Sequence, residues 1–189
     1  VILGAALLLR LLMMQTDYGT IHDFVYKMLA LPLKSLGTSY IGSIFTVFAI
    51  SILWSVGINS GSMVNGFVRP FWLENQVENI AALQAGQPLP HVITEQFFDM
   101  VWMGGAGVTL SLLIAILIFA KSKHIRSVGA IGTIPGIFNI NEPILFGLPI
   151  ILNPIMLIPF NLVAMVMVTT QYITMNLGIV SKPLGVAFP

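Results

Sequence analysis

A chain of 189 residues that is 57 % hydrophobic and 8 % charged has too little polar surface for a soluble domain, in which roughly a quarter of residues carry charge. Its net charge is +1 and its eight Lys and Arg residues are scattered, which excludes a nucleic-acid binder working through a basic stripe. It has no cysteine, which excludes a disulfide framework, a thiolate metal site and a thiol nucleophile within these residues.

Val1 to Leu9 is an apolar run up to Arg10. It has no basic leader, and its Ala/Gly pair lies inside the run, so it reads as the tail of a spanning helix rather than a signal peptide. With the abrupt end at Phe188-Pro189, this makes a window of a longer protein the expectation. Thr20 and Asp23 then have the spacing of a capping box, with Asp in place of Glu. Ile21, Phe24, Val25, Met28 and Leu29 share one helical face, opposite His22, Asp23, Tyr26 and Lys27. An interfacial amphipathic helix is expected over 21–31, ended by Pro32.

No charge lies between Lys34 and Arg69, and residues 36–58 suit one transmembrane helix. Residues 69–99, with Pro88 and Pro90, are the most polar part of the chain and read as a polar loop outside the hydrocarbon. Residues 100–120 carry no charge at all but open on Gly104, Gly105 and Gly107, so a re-entrant or transmembrane segment is expected there. Lys121, Lys123 and Arg126 close it, and an excess of basic residues marks the cytoplasmic side.

Residues 127–154 read as a broken, re-entrant segment. Between Ser127 and Phe160 stand Pro135, Pro143, Pro149, Pro154 and Pro159, with Gly129, Gly132, Gly136 and Gly147. Such backbone is tolerated at membrane depth only where protein or a wet cavity meets its hydrogen bonds, and broken helices in transporters commonly surround a substrate. Residues 155–180 suit a last transmembrane helix. The fold class expected is an all-α membrane protein, a transmembrane helix bundle with broken helices and an interfacial helix.

Glu142 is the only charged residue from Ser127 to Ser181. An isolated carboxylate in a membrane is costly enough to point to function. Pro143 drives it out of helical geometry and can open the next helix, with Asn139 and Asn141 beside it. Amide donors, amide acceptors and a carboxylate together suit a polyhydroxylated ligand. A cation site, or a carboxylate that only caps the following helix, remains open on these residues alone. Trp54, just before Gly57-Ile58-Asn59-Ser60-Gly61, offers an indole face to a sugar ring, or belongs to an interfacial belt, as Trp72 and Trp102 do more plainly. His91 and Glu95 have helical metal-ligand spacing but no third ligand, and no phosphate-cradling loop ending in Lys and Ser/Thr is present. No metal and no cofactor is expected.

Phe138-Asn139-Ile140-Asn141-Glu142-Pro143-Ile144, continuing through Phe146-Gly147-Leu148-Pro149 to Leu152-Asn153-Pro154, closely resembles the signature of enzyme IIC sugar permeases. These belong to the bacterial phosphoenolpyruvate-dependent phosphotransferase system, lactose/cellobiose (diacetylchitobiose) family. The likeness extends to Arg69-Pro70-Phe71-Trp72, to the glycine segment after Phe98-Asp99, and to Ala120-Lys121-Ser122-Lys123. It covers the C-terminal half of such a permease, without its N-terminal half and final end.

The resemblance implies a multi-pass protein of the bacterial cell membrane, working as a homodimer, that binds a β-linked disaccharide or β-glucoside. A partner IIB protein would phosphorylate the sugar, so the phosphoryl carrier lies on another domain or subunit. Glu142 matches the family's sugar-binding glutamate, and Trp54 the tryptophan before its other sugar-contacting loop. That loop departs from the family's Gly-Ile-His-Gly: Asn59 stands where the histidine would, able to donate and accept but not to carry charge. An ion-coupled transporter of a small polar solute and a sugar sensor that moves nothing are the alternatives.

Overall fold

The computed structural model describes residues 31–184, and before them Thr20, Phe24 and Met28. The interfacial helix expected over 21–31 therefore lies, but for Phe24, Met28 and Leu31, outside the described residues, as does the apolar opening run. The chain divides into two compact units, Val1–Leu36 and Gly37–Pro189. Among the described residues it is helical throughout, with α1 (Leu31–Gly37), α2 (Tyr40–Ser55), α3 (Gly61–Gln84), α4 (Glu95–Val101), α5 (Thr109–Phe119), α6 (Lys123–Ile137), α7 (Glu142–Gly147) and α8 (Pro154–Asn176). Pro32 stands at the second residue of α1, a place that suits a ring with fixed φ and no N–H.

The single helix expected over 36–58 is shorter. Ser39 is extended, with φ −91° and ψ 157°, and its hydroxyl accepts from the Gly42 N–H at 3.0 Å, starting α2 afresh. At the other end Gly57 takes φ +86°, a left-handed conformation that stops the helix.

The polar loop expected over 69–99 is mostly helix. α3 runs to Gln84, and the irregular stretch shrinks to residues 85–94. Asn75, Gln76 and Asn79 face inward, and two of them hold that stretch. Asn75 Nδ2 donates to the Ile93 carbonyl at 2.8 Å. Asn79 donates to the His91 carbonyl at 2.8 Å and accepts from the His91 N–H at 2.9 Å. Trp72 is no belt residue either: it is 2 % exposed, stacks on Phe98 at 3.8 Å between centroids, and donates to the Gly37 carbonyl at 2.9 Å.

Residues 100–120 divide into the end of α4, a glycine-rich turn and the 11-residue α5. α5 packs against α6, with Lys121 at the connection and Lys123 opening α6. Close approach rests on glycine: a Cβ on Gly129 would lie 2.6 Å from Ile116 Cγ2. α6 stays helical through Gly129, Gly132 and Pro135, where a break was expected from residue 127 onward. Pro135 lies near its end, and Asn139 at φ +62° completes the break before α7.

α8 packs along α2, with Tyr40 stacked on Tyr172 and its hydroxyl donating to Thr169 Oγ1 at 3.2 Å. It is the one helix among the described residues long and apolar enough to cross a membrane, its 23 residues spanning about 35 Å. Large apolar side chains such as Ile41, Phe45, Ile155 and Ile158 face outward, a surface that suits lipid or protein neighbours. Two apolar cores form inside. One gathers Val47, Trp72, Phe97, Phe98 and Val168, and the other Ile50, Leu113, Ile144, Leu145 and Phe160. Trp102 packs against both.

Candidate sugar-binding site

Three irregular segments meet between the cores: the turn after α2, the glycine-rich turn before α5 and the break before α7. They line an open cavity of about 340 Å³. All five residues singled out from the sequence, Trp54, Asn59, Asn139, Asn141 and Glu142, line it together.

Glu142 starts α7, with Pro143 in its first turn. Its side chain is exposed, and among the described residues nothing donates to the carboxylate. It is therefore available to a ligand rather than spent on a helix cap. Asn59 is also exposed. Its place is fixed by the next residue, since the buried Ser60 hydroxyl donates to the Ile50 carbonyl at 2.9 Å. Trp54 is only 8 % exposed and belongs to the second core, so a small part of its surface borders the cavity.

The two asparagines engage the backbone across the site. Asn139 Oδ1 accepts from the Gly104 N–H at 2.8 Å, and Asn141 Nδ2 donates to the Ala106 carbonyl at 2.7 Å. Gly105 lies between these contacts at φ +90°; a Cβ there would sit 2.7 Å from Asn141 Cγ. The Thr109 hydroxyl donates to the Gly104 carbonyl and closes the turn. A glycine turn of this shape needs residues without Cβ, both for the left-handed φ and for the approach of the asparagines. Asn141, at 3 % exposure, is a wall of the cavity more than a free contact.

Asn65, Ser62 and Trp102 also line the cavity, and sequence reasoning missed them. Gly61, Asn65 and Arg69 fall four residues apart, the spacing of one helical face. That signal would have found Asn65 had the segment been read as helix. His91 and Glu95, spaced like metal ligands, are engaged separately: His91 Nε2 meets Glu78 at 2.5 Å and Glu95 pairs with Arg69 at 2.5 Å.

Comparison with known proteins follows the same lines. The family model described as "Phosphotransferase system, EIIC" matches residues 1–164. The chain is 43 % identical over 170 residues to the oligo-beta-mannoside-specific EIIC component of the PTS system of Bacillus subtilis (strain 168), covering 89 % of this chain and 38 % of that protein. It is 42 % identical over 194 residues to the cellobiose-specific EIIC component of Geobacillus stearothermophilus, covering 98 % and 43 %. Among solved structures it superposes with a TM-score of 0.85 on the transporter ChbC, the IIC component from the N,N'-diacetylchitobiose-specific phosphotransferase system. That match is 42 % identical and covers 98 % of this chain and 43 % of ChbC. The chain thus spans about two fifths of the length of these relatives.

Proposed function

Because the chain belongs to the phosphotransferase system EIIC family, we propose that its cavity binds a β-linked disaccharide or β-glucoside during uptake through a bacterial cell membrane. The observation that carries this reading is the meeting of an unengaged Glu142 carboxylate with the Asn59 amide in one open cavity bordered by Trp54 and Trp102. Glu142 accepts from sugar hydroxyls, Asn59 donates and accepts, and the indoles offer apolar faces to the ring. Asn139 and Asn141 hold the glycine turn against the break that carries Glu142. The family relatives are named for oligo-beta-mannoside, cellobiose and N,N'-diacetylchitobiose, which supports a β-linked disaccharide for this protein.

In this reading the intact permease is a multi-pass homodimer that presents its sugar to a IIB protein, which supplies the phosphoryl group. The basic turn between α5 and α6 faces the cytoplasm and the stretch 85–94 faces outward. Uptake into vesicles carrying the intact permease tests the function: labelled sugar phosphate is expected to accumulate only when phosphorylated IIB is supplied inside. Uptake that needs a sodium or proton gradient and ignores IIB would overturn it.

A further inference from the structure

Ser55, the last residue of α2, follows Trp54 directly and precedes the turn that carries Asn59. It is 3 % exposed and does not line the Glu142 cavity. Among the described residues, Ser55 alone carries the hydrogen bonds that run from residues 54–60 to anything beyond α2 and α3. The bond from Ser60 to the Ile50 carbonyl returns to α2 itself.

Both polar groups of Ser55 reach across the fold. Its carbonyl, at the end of α2 and so without a partner inside the helix, accepts from the Leu152 N–H at 2.8 Å. Its hydroxyl donates to the Ser51 carbonyl at 2.8 Å and accepts from Asn161 Nδ2 on α8 at 3.1 Å. Leu152 belongs to the segment after α7, the helix that Glu142 opens. The turn also lies against this segment, since a Cβ on Gly57 would fall 3.4 Å from Ile151 Cγ2. The wall carrying Trp54 and Asn59 is thus held to the chain downstream of Glu142, and to α8, through one serine.

These bonds are made at a cost. Leu152 takes φ +57°, a left-handed conformation that a residue with a Cβ disfavours. Its side chain is exposed, so packing does not call for that backbone. Asn161 is buried, and its Nδ2 also donates to the Leu157 carbonyl at 2.7 Å. With the amide N–H groups spent in this way, Asn161 Oδ1 is left buried without a partner, as is the Ser51 hydroxyl. Turning the amide over would set its oxygen against the Leu157 carbonyl. A packed interior keeps such orphaned and strained groups where the surrounding structure fixes them for another purpose. Here the arrangement secures the hold on Ser55.

Resting on the sugar-binding reading above, we infer that Asn161 is a positioning residue for the sugar site. It does not line the cavity and meets no sugar. Acting through the Ser55 hydroxyl, it sets where Asn59 stands opposite Glu142. Groups that bind a ligand must be held to within about 0.5 Å, so loosening Ser55 weakens the sugar without removing any group that touches it.

The test is equilibrium binding to the intact permease in detergent, using whichever of cellobiose, β-mannobiose and N,N'-diacetylchitobiose binds best. Asn161→Ala and Ser55→Ala break the same bond, and each is expected to weaken binding about five- to tenfold. Gln171→Ala is the matched control. It removes another buried amide of α8, one that donates to the Phe97 carbonyl at 2.8 Å, and neither residue borders the cavity. It is expected to lower the melting temperature while leaving affinity nearly unchanged. Because Asn161 acts through Asn59, adding Asn161→Ala to Asn59→Ala is expected to cost little further affinity. Ser55→Ala takes its place in that comparison if Asn161→Ala does not fold. Undiminished binding by Ser55→Ala, as large a loss in Gln171→Ala, or an equal loss with and without Asn59 would overturn the assignment while the sugar-binding reading survives. Failure of the unaltered protein to bind any of the three disaccharides would overturn both readings.

Discussion

Asn141 donates its side-chain N–H to the carbonyl of Ala106 at 2.7 Å, 35 residues back along the chain. That bond ties the break carrying Glu142 to the glycine-rich turn, and it is made one residue away from the carboxylate. The site is thus two irregular segments pinned to each other, each too short of internal hydrogen bonds to hold its shape alone.

Removing the pin has a measurable cost. Asn141→Ala leaves the Ala106 carbonyl without its partner in a buried setting, which costs about 1–3 kcal/mol. The intact protein in detergent is expected to melt at lower temperature and to bind sugar more weakly. Asn141→Asp is expected to be worse, since it sets a carboxylate against that carbonyl.

Glycine is required at residue 105 for two reasons, φ +90° and the nearness of Asn141. Gly86 has φ +67° but nothing within 4 Å of a Cβ. Gly86→Ala is therefore expected to cost only the left-handed strain, about 1–2 kcal/mol, and to bind sugar normally. Gly105→Ala adds a clash with the pin, so binding is expected to fall along with melting temperature. Equal effects of the two substitutions on binding would contradict this account of the turn.

What could be read from the sequence followed from what was local. The lone carboxylate before Pro143, the glycines at 104–107 and the apolar run of α8 announce themselves by residue type alone. The helical course of α3 did not. Asn75 and Asn79 suggest a loop by composition, yet they face inward to hold the stretch 85–94, a partnership that only the tertiary fold reveals. Trp72 and Trp102 have the composition of belt residues but are claimed by the cores. Asn139 and Asn141 were legible as site residues, while their bonds to residues 35 positions away were not.

Trp72 offers a check on the first core. Trp72→Phe keeps an aromatic ring against Phe98 but removes the N–H that meets the Gly37 carbonyl. A loss of about 1–3 kcal/mol is expected from that unpaired carbonyl, read as a lower melting temperature. Trp72 does not border the Glu142 cavity but lines the one beside it, so the melting temperature, not sugar affinity, is the readout of the core.

The orientation can be read by labelling. These residues contain no cysteine, so a cysteine placed among them reports one position, provided any elsewhere in the intact protein is removed first. Gln87→Cys is expected to react with a membrane-impermeant maleimide on whole cells, and Ser122→Cys only after the membrane is opened. The reverse pattern would invert the arrangement.

The account stands or falls on the Glu142 carboxylate accepting hydrogen bonds from a sugar. The direct measurement is equilibrium binding of the preferred β-linked disaccharide to the intact permease, unaltered and as Glu142→Gln. The amide keeps the size but loses the charge and one acceptor oxygen, so affinity is expected to fall about ten- to a hundredfold with the melting temperature unchanged. Undiminished binding by Glu142→Gln would contradict the central claim.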